Sequence, residues 1–264
     1  MSTKFKSDPY NVKNRLITST DVIDILSQVN INDIQITNLS LFQRAFNHKS
    51  YCIMKDYEEY TKPPECIELQ EINYETLEFL GDAFLDVIVA EYLYKRYSDQ
   101  NEGFLTKIKT RLVNGEQLSY YTNCLKMNHL VLLSKHVEEN CEGRKNIHIL
   151  EDIFEAFIGA LYLDTNDFLK VKEFVIRVIE KYVDFPELIM RDTNYKEQVL
   201  KYFQHNYSCN PTYEHIECDD YEIFKCKILH QSCMIAIGEG KTKKKAEQDA
   251  AYRALVIGNV LSEN

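Results

Sequence analysis

The chain has 264 residues, 45% of them apolar and 27% charged, with 18 Tyr, 13 Phe and only 8 Gly. That length exceeds an ordinary single domain and that composition excludes a fibrous or largely disordered chain, so a large domain joined to a small one is expected. The formal net charge of −10 argues against a phosphate-bearing partner, unless the 31 basic residues cluster on one face or acidic groups hold cations that can meet phosphate.

The opening stretch MSTKFKSDPYNVKNR lacks the apolar core of a signal peptide, and no apolar run approaches the roughly 18 residues that a membrane-spanning helix needs. An intracellular, cytoplasmic protein without membrane contact is expected. The cysteines, Cys52, Cys66, Cys124, Cys141, Cys209, Cys218, Cys226 and Cys233, contain no CxxC pair. They suggest neither a zinc ribbon nor a thioredoxin-like site, but reduced, mostly buried thiols.

From Ser19 to about Asp184 the pattern is helical. Apolar residues recur every three or four positions, as in Val22, Ile25 and Leu26, then Leu41, Phe42 and Ala45, then Leu77, Leu80, Phe84, Leu85 and Ile88. The stretch Tyr51–Ile72 interrupts it with a Pro-Pro pair and an acidic bias, and reads as an insertion between two helices. Near Pro186 a helix ends, and a new amphipathic stretch begins at about Thr193, where the domain boundary falls. Beyond it come a helix (Tyr195–Gln204), three β-rich segments (PTYEHIEC, YEIFKCKIL, SCMIAIGEG) and a helix from about Lys243 to Leu255. The order α-β-β-β-α predicts a helix pair on one face of a three-stranded antiparallel sheet.

Within NYETLEFLGD, Glu75, Glu78 and Asp82 fall inside an arc of about 60° on one helix face. Like charges so placed repel, and an ordinary solvated acidic face is one reading of them. A second helix, ILEDIFEAFIGALYLD, carries Asp152 and Glu155 one turn apart in otherwise apolar surroundings, where carboxylates need a cation or water to offset desolvation. Each segment also holds an interior glycine, Gly81 and Gly159, a choice that costs up to about 1 kcal/mol in a helix unless another backbone approaches closely. Helices crossing at those glycines can bring Glu78, Asp82, Asp152 and Glu155 together as an all-oxygen set suited to Mg²⁺ or Mn²⁺. Such a set suits phosphodiester hydrolysis, in which a metal acidifies water and offsets phosphate charge.

NYETLEFLGDAFLD resembles the signature of the ribonuclease III family. The similarity continues through AFNHKS (Ala45–Ser50), EGFLTKIKTRLV (Glu102–Val113) and EDIFEAFIGALYLD (Glu151–Asp164), in the family's order and roughly at its spacing. The resemblance implies an all-α catalytic domain over 19–185, with Glu78, Asp82, Asp152 and Glu155 as metal ligands and Asp82 and Glu155 most directly tied to the chemistry. Glu75 and Glu102 match two further acidic positions near the catalytic valley and the dimer interface. Phe79 matches the aromatic anchor of a homodimer, and a core phenylalanine is the alternative reading. The insertion at about 51–72 and the extension before Ser19 depart from the common bacterial form.

The stretch GEGKTKKKAEQDAAYRAL places Lys241, Lys243, Lys244 and Lys245 at a helix start, where free backbone N–H groups and the helix dipole also favour anions. A solvated charge run is the plain reading. With the α-β-β-β-α order around it, residues 192–258 resemble a double-stranded RNA-binding domain, which implies an RNA clamp of Lys241, Thr242, Lys243 and Lys244. Leu200 and Lys201 stand where the family often has polar residues facing the minor groove, and the loop at about Cys218–Tyr221 lacks its usual His. From Asp192 to Asn264 there are 9 basic and 11 acidic residues, so binding is expected to depend strongly on salt.

The expected protein is a mainly α endoribonuclease of the ribonuclease III type, using Mg²⁺ or Mn²⁺, dimerising with itself, and cutting double-stranded RNA to 5′-phosphates and short 3′ overhangs. Two other readings stand beside it. One is a non-cleaving protein on the same scaffold that sequesters double-stranded RNA. The other, a phosphohydrolase of small molecules, leaves the lysine clamp without a use.

Overall fold

The computed structural model describes residues 7–190, 195–216, 223–258 and 260. The expected boundary at Asp192 and Thr193 and the loop at Cys218–Tyr221 lie outside them. The chain forms two compact units, residues 1–188 and 189–264.

The first unit is built of α1 (Ser19–Ser27), α2 (Leu39–Ala45), α3 (Glu75–Arg96), α4 (Glu102–Leu112), α5 (Gly115–Cys124), α6 (Lys135–Asn140), α7 (Ile147–Thr165) and α8 (Phe168–Tyr182), and α9 (Phe185–Met190) runs across the boundary between the units. Short polar residues start most of these helices by accepting from orphan amides. Thr18 and Asp21 form a reciprocal capping box on α1, and Asn101, Asn114, Ser134 and Asp167 cap α4, α5, α6 and α8. Helix α7 is the axis of the unit. Its run Ile153–Leu161 is buried on every side, and Phe157 meets the rings of Phe42, Phe46 and Phe174 at 5.5, 6.3 and 5.3 Å. A helix apolar all round has to be central, and α3 is the neighbour laid most extensively along it.

The insertion at about 51–72 and the segment before α1 are both fastened to this unit. In the insertion, Tyr51 is buried and its hydroxyl donates to the Ile67 carbonyl at 2.8 Å. The Ile53 amide donates to the Gln70 carbonyl and the Gln70 amide to that of Tyr51, across a parallel bridge. Before α1, the buried Asn11 and Asn14 donate to the Leu133 carbonyl at 3.1 and 2.9 Å. Arg144 reaches both Asn14 and the largely buried Glu138.

The second unit has α10 (Tyr195–Tyr207), β1 (Thr212–Ile216), β2 (Phe224–His230), β3 (Cys233–Gly240) and α11 (Lys243–Ile257). The strands form an antiparallel sheet in the order β1-β2-β3. Helix α11 sits against it on an alanine face, Ala246, Ala250, Ala251 and Ala254, all buried. A Cβ at Gly238 would lie 2.0 Å from the Ala250 nitrogen, so the glycines of β3 and the alanines of α11 are one packing solution. The fold is mainly α with a small α+β unit, as expected. The cysteines differ from expectation: of the seven described, all free, only Cys66 and Cys226 are buried, and Cys141 and Cys233 are exposed. Those two stand at surface positions where packing asks nothing of a thiol.

Candidate active site

Helices α3 and α7 cross through their glycines. A Cβ at Gly81 would lie 1.8 Å from the Glu155 carbonyl oxygen, and one at Gly159 would lie 2.2 Å from that of Leu77. Glycine on both helices is what allows backbones this close, and the crossing falls at the carboxylates themselves. One oxygen each from Glu78, Asp152 and Glu155 lies within 4.8 Å of the others.

The three carboxylates stand in unequal surroundings. Tyr74, just before α3, donates its hydroxyl to Asp152 Oδ2 at 2.7 Å. Among the described residues no donor reaches the side chains of Glu78 or Glu155. Glu155 is 8% exposed, and burial, followed by repulsion from Asp82, Glu151, Glu78 and Asp152, pushes its carboxyl up to about 8. Burial also raises Glu78, helped by Asp152, Glu75 and Asp82. It raises Asp152 too, against the opposing hydrogen bond from Tyr74. A buried carboxylate without a donor is costly, and a divalent cation bound by oxygen would offset that cost. The donor set, all carboxylate, fits a hard cation.

The other predicted residues lie around this group. Asp82 is exposed and outside the group of three, although its charge is the largest electrostatic influence on Glu155. Glu75 is exposed and pairs with Lys49 at 3.3 Å. With Glu78 it occupies the first turn of α3, where the helix dipole favours negative charge. Glu102 opens α4, accepts from Thr106 and is not part of the group of three. Phe79 is 79% exposed, which removes the reading of it as a core residue. Two residues escaped the sequence reading. Tyr74 is one. Glu151, which adds to the repulsion on Glu155 and Glu78, is the other, and its signal was the ED pair opening the second acidic segment.

In the second unit Lys241, Thr242, Lys243, Lys244 and Lys245 are all exposed at the start of α11, where Thr242 caps the helix by accepting from the Lys245 amide at 3.2 Å. Among the described residues no ion pair holds Lys241, Lys243 or Lys244, so their charge is open to an anion. Leu200 and Lys201 are exposed on α10, Lys201 paired with Glu197 at 2.6 Å.

The ribonuclease-III-like family model matches residues 38–182, and the double-stranded RNA binding motif matches residues 195–256. A probable ribonuclease 3 of Acanthamoeba polyphaga mimivirus is 32% identical over 251 residues, 92% of this chain but only 46% of that protein, so the chain spans about half its length. The ribonuclease 3 of Staphylococcus epidermidis is 36% identical over 220 residues, 82% of this chain and 84% of that protein. Among solved structures, the nuclease domain of ribonuclease III from Campylobacter jejuni is 32% identical and covers 62% of this chain and 99% of its own, with a TM-score of 0.49.

A carboxylate crossing of this kind, joined in one chain to a duplex-RNA-binding fold, defines an endoribonuclease directed at double-stranded RNA. The chain belongs to the ribonuclease III family. Among the described residues no helix is long and apolar enough to cross a membrane.

Proposed function

We propose that residues 19–185 form the catalytic domain and 192–258 the RNA-binding domain of an enzyme that hydrolyses both strands of duplex RNA with Mg²⁺, for which Mn²⁺ can substitute, leaving 5′-phosphates and short 3′ overhangs. The observation that carries this is Glu155: buried, without a donor, and facing Glu78 and Asp152. In this reading Glu78, Asp152 and Glu155 hold the cation, and the exposed Asp82 completes the set from the solvent side and handles the attacking water's proton. The cation, once bound, lowers the pKa of water and offsets charge developing on the phosphate. Glu75 and Glu102 extend the acidic valley, and Lys241, Thr242, Lys243 and Lys244 clamp phosphates without reading bases.

Two cuts across a duplex need two sites, and an exposed apolar line supports self-association. Phe79, Val87 and Tyr94 are 79, 59 and 68% exposed. With Ala83 and Ala90 they occupy about 80° of the α3 surface, beside the carboxylate face. A cavity of 390 Å³ lined by Ala90, Leu93, Tyr94, Leu105 and Lys109 lies on the same helix and is the candidate socket for Phe79 of a second copy, in a self-complementary homodimer. A cytoplasmic location goes with this reading and is supported by the free thiols.

Incubating a long, perfectly paired RNA with the protein tests the activity. Short duplexes that appear with Mg²⁺ and vanish with chelator are expected. Intact RNA under both conditions, with binding retained, would leave the sequestering protein as the better reading.

A further inference from the structure

Tyr74 is bound to a candidate ligand by a hydrogen bond that neither Glu78 nor Glu155 possesses. The residue is 3% exposed, and its hydroxyl, protonated at neutral pH and hence the donor, reaches Asp152 Oδ2 at 2.7 Å. It is held from several sides. Its backbone N–H donates to the Asn47 carbonyl at 3.1 Å, and its ring lies 5.9 Å from that of His48. Just upstream, Asn47 Nδ2 donates to the Ile72 carbonyl at 2.8 Å and Arg44 Nε to that of Asn73 at 2.9 Å. Arg44 and the AFNHKS segment that follows it therefore set where the chain enters α3, and the entry residue aims a hydroxyl across at α7.

We infer that Tyr74 is a positioning residue for the candidate metal site, its hydroxyl holding the Asp152 carboxylate in the orientation that shares a cation with Glu78 and Glu155. This rests on the site reading proposed above. A free carboxylate rotates about its last two bonds. A short hydrogen bond to one oxygen, from a ring that packing has immobilised, removes that freedom before the cation arrives, and partners of this kind typically contribute about 10–100-fold to metal affinity or activity. The competing role is purely structural, a buried phenol finding an acceptor.

Calorimetric titration of Mn²⁺ into the full chain, without RNA, separates them. The proteins compared are wild type, Tyr74→Phe, Asp152→Asn and the double variant. Phenylalanine keeps the ring and its packing, so the circular dichroism spectrum is expected to stay unchanged while Mn²⁺ affinity falls about 10–100-fold. In the Asp152→Asn background the same change adds little, because it acts through that carboxylate. Cleavage by Tyr74→Phe recovers as metal concentration is raised. Wild-type Mn²⁺ affinity in Tyr74→Phe alongside a loss in Asp152→Asn overturns the inference and leaves the site intact. Equal losses from Tyr74→Phe in both backgrounds, or loss of its fold, also overturn it by making the hydroxyl a structural anchor. Wild-type affinity in Asp152→Asn removes the site itself, and the inference with it.

Discussion

Gly81 lies so close beneath Glu155 that a single methyl group on it would sit 1.8 Å from the Glu155 carbonyl oxygen. The residue that allows the helices to touch and the buried carboxyl proposed as a metal ligand thus meet at one point. Gly81→Ala is expected to force α3 and α7 apart, at the upper end of the ~1–3 kcal/mol typical of overpacking, with loss of cation binding. Urea denaturation and metal titration check both effects. Wild-type stability in this variant would mean that the helices can slide without cost.

Phe79 is barely covered by its own chain, since it is 79% exposed. Phe79→Ala should therefore leave the folded monomer within about 0.5 kcal/mol of wild type. It should weaken self-association by more than about 2 kcal/mol, the scale for a central aromatic anchor. Sedimentation equilibrium reads the difference directly. An unchanged dimerisation constant would move the interface off this face of α3.

Replacing Lys243 and Lys244 by Ala should weaken duplex binding alike for all sequences, because groups that bind only phosphate carry no base information. The slope of log K against log salt should shrink by about one to two, close to one for each phosphate no longer neutralised. An unaltered slope would place the RNA surface elsewhere in the unit.

Without metal, stability should fall as pH rises from 6.5 to 8. The Glu155 carboxyl is raised from its ordinary 4.5 to about 8, so in this window the folded protein keeps a proton that the unfolded chain has released, and stability falls by up to about 1.4 kcal/mol per pH unit. The rises at Glu78 and Asp152 have the same sign. His48, which burial lowers from 6.5 to about 4, acts in the opposite sense, but its effect fades within about one pH unit above 6.5, where the unfolded imidazole loses its proton, and so is outweighed by Glu155. Mg²⁺ should flatten the dependence by displacing the proton. Urea midpoints at pH 6.5 and 8, with and without chelator, test this, and equal midpoints without metal would contradict it.

The α3–α7 crossing was legible because it left two marks in the sequence: glycine inside apolar helices, and carboxylates at one-turn spacing. The α-β-β-β-α order was legible from alternation and from the lysine-rich helix start. What stayed hidden depends on the meeting of residues far apart in the chain. Tyr74 and Asp152 are separated by 78 positions, and nothing local distinguishes a tyrosine that donates to a carboxylate from one that merely packs. The anchoring of the N-terminal segment is similar: Asn11 and Asn14 look like loop asparagines until the Leu133 carbonyl appears beside them. Asp82 shares a helical face with Glu78 but is exposed and outside the group of three. Helical periodicity gives direction around an axis, whereas the reach of a side chain depends on the surface it meets.

The central claim is that the carboxylates at this crossing hold the metal for RNA hydrolysis, and Glu155→Gln tests it most directly. The change keeps side-chain size and resembles the protonated carboxyl that Glu155 carries in the metal-free protein near neutral pH, so folding should survive. A neutral amide oxygen is a poorer Mg²⁺ ligand than a carboxylate. Cleavage of a long duplex at fixed Mg²⁺ should therefore fall by orders of magnitude, with at most partial recovery in Mn²⁺, while duplex binding by the separate lysine clamp stays near wild type. Cleavage by Glu155→Gln at the wild-type rate would contradict the account.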